Sequence, residues 1–207
     1  MKTIRYNKND TDAIIQTLLS GKTVAFPTDT VYGLGVIYDE HALATLKQAK
    51  GRAETKPIPT MVASYTQLEQ IAEINETALK LIHSFMPGAL TLVLKKKACV
   101  PDFVTNGKPT IAVRMPDDPF VLDLIAKCQG PLLVSSANRS DEASTHYASE
   151  VLEQLEGRIH AIVMGEAQGN TASTIIDVSE ANIKILRKGE ISEAEIHNAL
   201  QIKEEHK

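Results

Sequence analysis

Cysteine is scarce: Cys99 and Cys128 are the only two, with neither a CxxC pair nor a paired-ligand spacing. Two ordinary free thiols are therefore expected, not a disulfide framework or a thiolate metal site. No run of about 18 apolar residues occurs in a chain that is 43% apolar, which excludes a hydrophobic membrane helix. Met1-Lys2-Thr3-Ile4-Arg5 lacks the apolar core of a signal peptide, so a cytoplasmic protein with no membrane partner is expected. An excess of positive charge is missing too, since 22 Lys and Arg face 26 Asp and Glu for a net charge of −4. A protein that clamps RNA by itself needs a basic face, because released counterions supply most of the affinity. Aromatics make up 4% and form no stripe with basic residues, which disfavours a base-stacking module. The six histidines, His41, His83, His146, His160, His197 and His206, are scattered with no HExxH or HxxxH spacing, and Gly-x-Ser-x-Gly is absent. A histidine-held metal and a Ser-His hydrolase both lack support.

Two short patterns imitate phosphate loops and fail on context. Gly21-Lys22-Thr23 resembles the end of a Walker A loop, but Gln16 stands where that motif requires glycine, and the expected order here is helix, Gly-Lys-Thr, strand. Gly33-Leu34-Gly35 is followed by Val36-Ile37-Tyr38 instead of a third glycine, so it is no dinucleotide fingerprint.

What is present is a cationic stretch, Lys50-Gly51-Arg52-Ala53-Glu54-Thr55-Lys56-Pro57, in a chain that is acidic overall. Upstream, Asp39 reads as an N-cap ahead of Ala42, Leu43, Leu46 and Ala49 at helical spacing, with Gly51 as the helix stop. Downstream, Ile58 to Ala63 reads as a short buried strand. The cations thus fall on a connecting loop, where lysine offers a point charge and arginine a bidentate fork for phosphate oxygens. Two further segments run from apolar strand into small polar residues: Val24 to Phe26 into Pro27-Thr28-Asp29-Thr30-Val31-Tyr32-Gly33, and Leu132 to Val134 into Ser135-Ser136-Ala137-Asn138. In open α/β sheets, ligands bind where strands end in this way.

At 207 residues one domain, 1–207, is the natural count. Strands are expected near 24–27, 59–63, 90–94, 110–114, 132–135, 161–164, 173–178 and 183–187. Helices are expected at 12–20, 39–50, 76–85 and 117–128, at a capping-box segment from Ser64, and at 192–201 with Ser192 and Glu195 again at capping-box spacing. This alternation predicts an α/β fold with a twisted, mixed, open sheet and helices on its faces. Residues 139–147 read as a mobile loop beside the candidate site, and Lys95-Lys96-Lys97 as solvated protection at a sheet edge.

Six ordered segments together resemble the YrdC-like threonylcarbamoyl-AMP synthases over most of the chain, from Ile14 to Gly189. They are Phe26 to Leu34; Lys50-Gly51-Arg52 with Lys56-Pro57; Met86-Pro87-Gly88; Ile111 to Arg114; Ser135 to Asn138; and Ser173 to Asp177 followed by Leu186 to Gly189. The length resembles the short, single-domain form. The resemblance implies a nucleotidyltransferase that joins L-threonine, bicarbonate and ATP, with Mg²⁺ accompanying the ATP, into threonylcarbamoyl-adenylate and pyrophosphate. It implies a downstream tRNA threonylcarbamoyl transferase complex as partner and admits a weak contact with tRNA. Carried over by position, Lys50 and Arg52 are the expected catalytic cations. Lys50, Arg52, Lys56, Thr110, Ser136, Asn138, Ser144 and Arg187 are the expected ATP-binding residues, and Thr30, Tyr32, Met61, Arg114, Val134 and Ser173 the threonine-binding ones. Met61 stands where relatives often have histidine, and Arg139-Ser140-Asp141 replaces their x-Ser-Gly after Asn138. A YciO-type paralogue and an RNA-binding module of the same fold stay open as alternatives.

Overall fold

The computed structural model describes residues 2–53, 55 and 57–201. Lys56, and His206 among the histidines, lie outside the described residues. The strands are β1 (Ile4–Tyr6), β2 (Val24–Phe26), β3 (Gly33–Ile37), β4 (Thr60–Met61), β5 (Leu90–Lys95), β6 (Thr110–Arg114), β7 (Leu132–Ser136), β8 (Ala161–Val163), β9 (Thr174–Asp177) and β10 (Lys184–Arg187). They form one ten-stranded sheet among the described residues, in the order β1-β8-β2-β3-β7-β4-β6-β5-β9-β10. It is mixed: β4 runs parallel to β6 and β5 parallel to β9, whereas β3 pairs antiparallel with both β2 and β7. The expected α/β architecture with a mixed sheet is the one observed.

The helices are α1 (Thr11–Leu19), α2 (Glu40–Lys50), α3 (Tyr65–Ile71), α4 (Glu76–Phe85), α5 (Asp102–Thr105), α6 (Pro119–Lys127), α7 (Ala148–Leu155) and α8 (Glu193–Leu200). Their starts follow side-chain chemistry. Asp39 accepts from the Ala42 amide, Asn75 from that of Ala78, and Asp118 from those of Phe120 and Val121, so amides that lack an intrahelical partner are satisfied. Gly51 ends α2 at φ 62°, a left-handed position that glycine adopts without strain. No helix of the described residues is long and apolar enough to cross a membrane.

The sheet has two differently covered faces. On one, Leu34, Val36, Leu90, Leu92, Leu94, Val113 and Ile176 pack with α2, α3 and α4 into the main core. On the other, α1 and α6 cover only the β8-β2-β3-β7 half, through a second cluster that includes Ile14, Leu18, Val24, Phe26, Val121, Val134 and Met61. Burial of these side chains stabilises by about 1.5–3 kcal/mol each. The rest of that second face, over β6, β5 and β9, lines a cavity instead.

Five expectations need correction. β3 was not anticipated, because Gly33 and Gly35 look like turn residues. Gly33 opens the strand and Gly35 stands at its middle because a Cβ on Gly33 would lie 2.8 Å from Val134 Cγ1, and one on Gly35 2.7 Å from Phe26 Cε1; glycine lets bulky neighbours on β2 and β7 close over the strand. β1, a three-residue edge strand, was also missed. The strand expected over 58–63 contracts to Thr60–Met61. Lys95 to Lys97 do not guard an edge, since β5 is interior to the sheet. Lys96 instead donates to Asp102 Oδ1 at 2.9 Å and to the Val100 carbonyl at 2.8 Å. Residues 139–147 are irregular but tethered: Asn138 Nδ2 donates to the Arg139 and Glu142 carbonyls, and Thr145 Oγ1 to that of Ala137.

Candidate active site

The open half of the second sheet face lines a cavity of about 450 Å³, within the range of small-molecule sites. Strand alternation supplies its floor, since every second residue points to the same side. Thus Thr110, Ala112 and Arg114 of β6 line it with Thr91 and Val93 of β5 and Ile175 and Asp177 of β9. From Thr110 to Arg114 the floor runs about 13 Å along one strand. Thr30, Tyr32, Arg52, Met61 and Ser136 close one flank and Ser173 and Arg187 the other.

One end of the cavity carries two guanidiniums. Arg114 donates through Nε to the Gly88 carbonyl at 3.0 Å, through one terminal nitrogen to Thr30 Oγ1 at 2.8 Å, and through the other to Asp29 Oδ1 at 2.6 Å. Five donors less these three bonds leave two N–H groups. Burial lowers its pKa from the ordinary arginine value, and the Asp29 carboxylate opposes that shift. Arg187 donates to the Ser173 carbonyl at 2.9 Å and to Ser173 Oγ at 3.0 Å, and Ser173 Oγ lies 2.8 Å from Thr91 Oγ1. Burial, and then the like charge of Arg114, lower the Arg187 pKa. On the flank, Arg52 donates to the Pro57 carbonyl at 3.1 Å, while its Nε is buried without a partner. Among the described residues the lining holds Arg52, Lys108, Arg114 and Arg187 against one acid, Asp177. Such a surface attracts anions and holds them in fixed, partly desolvated positions.

Ten of the residues singled out in the sequence line this one cavity: Arg52, Thr110, Ser136 and Arg187 with Thr30, Tyr32, Met61, Arg114, Val134 and Ser173. Tyr32 is fully buried and its hydroxyl donates to the Val163 carbonyl at 3.0 Å, so it contributes wall. Met61 is 6% exposed and shared between cavity and apolar cluster. Lys50 lies behind the lining, with its ammonium directed at the carbonyls of Ser136 and Asn138. Asn138 is buried with its side chain tied to the following loop. Ser144 is exposed and outside the lining. Sequence reasoning missed Thr91, Lys108 and Asp177 as lining residues and Asp29 as the partner of Arg114. The signal for Thr91 was available, as the polar residue at an alternate position of Leu90-Thr91-Leu92-Val93-Leu94.

A family model for Sua5/YciO/YrdC, described as "Telomere recombination", matches residues 16–189. The chain belongs to this family. Among Sua5/YciO/YrdC relatives, it is 43% identical over 183 residues to the threonylcarbamoyl-AMP synthase of Pyrococcus abyssi, a match covering 87% of this chain and 54% of that protein. It is 39% identical over 186 residues to the Bacillus subtilis threonylcarbamoyl-AMP synthase, covering 86% of this chain and 53% of that one. A crystal structure of P. abyssi Sua5 complexed with L-threonine superposes with a TM-score of 0.89 at 39% identity, over 96% of this chain and 60% of the other. The chain thus spans about half the length of these two curated relatives.

Proposed function

We propose that this chain catalyses L-threonylcarbamoyladenylate synthesis from L-threonine, bicarbonate and ATP. The observation that carries the reading is that residues matching the family's threonine set and its nucleotide set line a single cavity whose described side chains are more often cationic than acidic. A reaction between two anionic substrates needs them adjacent and charge-compensated. A threonine-bound relative of the same fold supports the amino-acid half.

In this reading the two unused N–H groups of Arg114 pair with the threonine carboxylate, while Thr30, Ser173 and the Val134 backbone surround the amino acid. The threonine amine adds to carbon dioxide supplied by bicarbonate, which gives a carbamate and releases water. A carbamate oxygen then attacks the α-phosphorus of ATP, the bond to the bridging oxygen breaks, and pyrophosphate leaves with that electron pair. No side chain forms a covalent bond. Arg52 and Arg187 offset the charge on the phosphates, and Thr110 and Ser136 orient the nucleotide.

Among the described residues, no group of three His, Cys, Asp or Glu side chains converges to hold a metal. In this reading magnesium accompanies ATP as part of the substrate. The product is a reactive mixed anhydride, suited to handover to a tRNA threonylcarbamoyl transferase complex in the cytoplasm. The net charge of −4 keeps direct tRNA contact weak. Pyrophosphate release tests the reading: it is expected only when ATP, threonine and bicarbonate are all supplied, and release that ignores threonine or bicarbonate would contradict it.

A further inference from the structure

Lys50 is the least expected side chain near the cavity, a lysine 2% exposed at the last position of α2. Its ammonium donates to the carbonyl oxygens of Ser136 and Asn138, with a third, longer contact of 3.5 Å to Asn138 Oδ1. An ammonium has three N–H donors and no acceptor; two are held by the carbonyls, the third faces Asn138 Oδ1, and Lys50 is not among the residues that line the cavity. The two carbonyls converge because Ala137 between them turns the other way, its amide donating to Tyr32 O at 2.7 Å. Without the lysine the buried Asn138 carbonyl would lose its donor, which native structures avoid, and the Ser136 carbonyl would keep only, among the described residues, a long 3.4 Å contact from Ser135 Oγ. A second tie joins the same two segments, since the Ser140 amide donates to the Lys50 carbonyl at 2.8 Å.

Each segment carries a cavity-lining group. Ser136 is itself one of the bonded carbonyl residues, and Arg52 follows Lys50 by two positions, anchored by its amide to the Lys47 carbonyl at 2.9 Å. We infer that Lys50 is a positioning residue: it ties the end of α2 to the end of β7 and so fixes Arg52 and Ser136 toward the nucleotide without touching it. This departs from the expectation that Lys50 binds phosphate directly, and it rests on the proposed nucleotide reading of the cavity.

The test combines amine labelling with a double-mutant cycle on the full chain. An amine-specific acetylating reagent should leave Lys50 unmodified equally with and without ATP; rapid labelling that ATP suppresses would overturn the inference, as that is the behaviour of a phosphate contact. ATP affinity is then measured for the wild type, Lys50→Met, Arg52→Ala and the double variant. Groups that act through one another are non-additive, so Lys50→Met should weaken binding by roughly tenfold alone and by less than about threefold in the Arg52→Ala background. Additive losses, or unchanged affinity in Lys50→Met, would overturn it. If Lys50→Met fails to fold, the labelling decides alone. A wild-type chain that binds no ATP would count against the nucleotide reading, while the labelling still judges where the Lys50 ammonium lies.

Discussion

Arg114 and Asp29 form an ion pair of 2.6 Å whose side chains are 6% and 9% exposed, with Asp29 Oδ2 also accepting from the Asp117 amide at 3.0 Å. The pair joins a loop after β2 to the end of β6, and it means that the cavity's arginine is already compensated before any substrate enters. Removing one partner of such a pair leaves a buried charge without compensation, which costs about 3–5 kcal/mol. Asp29→Ala is therefore expected to lose about that much in urea unfolding and to weaken threonine binding, because Arg114 loses the contact that orients it. A loss under about 1 kcal/mol would mark the pair as energetically idle.

Arg52→Ala should raise the dissociation constant for ATP by one to two orders of magnitude, since a charge-assisted contact is worth about 1.5–3 kcal/mol. Lys95→Ala should change it by less than about twofold, because Lys95 is a half-exposed lysine paired with Glu180 at 3.6 Å. Calorimetric titration of both variants checks this, and equal losses would move the phosphate site away from Arg52.

Met61 pairs in register with Arg114 across β4 and β6 and lines the cavity, so in the proposed reading a thioether replaces a polar group that could pair with the threonine hydroxyl. Discrimination by a hydroxyl depends on site groups left unpaired by the wrong substrate. Threonine is expected to be preferred, with modest leakage to serine, valine and alanine, and Met61→His should sharpen the preference. The cost is stability, about 1–3 kcal/mol if the imidazole finds no partner on its apolar side. Adenylate formation across the four amino acids decides it; unchanged selectivity would show that the hydroxyl is read elsewhere.

Burial, and then the charge of Arg52, push the Lys50 ammonium down to about 7. An unfolded lysine holds its proton to about 10.4, so above pH 7 the unfolded state binds the extra proton and stability rises with pH. Below pH 7 both states are charged and the cost of burying the ammonium is fully present. Cys128, pushed up to about 11 by burial, acts in the opposite direction once its unfolded thiol titrates near 9, and His160, lowered by burial and by Lys22, adds to the rise only near pH 7 and below, so the lysine dominates between about pH 7 and 8.5. Unfolding free energy should climb there by at most about 1.4 kcal/mol per pH unit. Lys50→Met should remove the slope, and a slope retained in that variant would assign it to another group.

Local chemistry made much of this legible in the sequence. The Asp39 cap and Gly51 stop framed α2, Pro119 opened α6, and the alternation of 110–114 gave β6 its true bounds. What escaped depends on partners far along the chain. Nothing near Lys50 and Arg52 says which cation turns inward, because the acceptors that hold Lys50 lie 86 and 88 residues away. Asp29 meets Arg114 across 85 residues, and the glycines of β3 make sense only once Phe26 and Val134 flank them. Asp177 belongs to a motif read from the sequence, yet only the pairing of β9 with β5 shows that it faces the cavity.

The most direct measurement is mass spectrometry of the products formed from ATP, L-threonine and isotope-labelled bicarbonate. The predicted result is threonylcarbamoyl-adenylate carrying the label in its carbamoyl carbon, abolished or strongly reduced in Arg114→Ala. Absence of this adenylate in the wild type with all three substrates at saturation, or an adenylate without the label, would contradict the account.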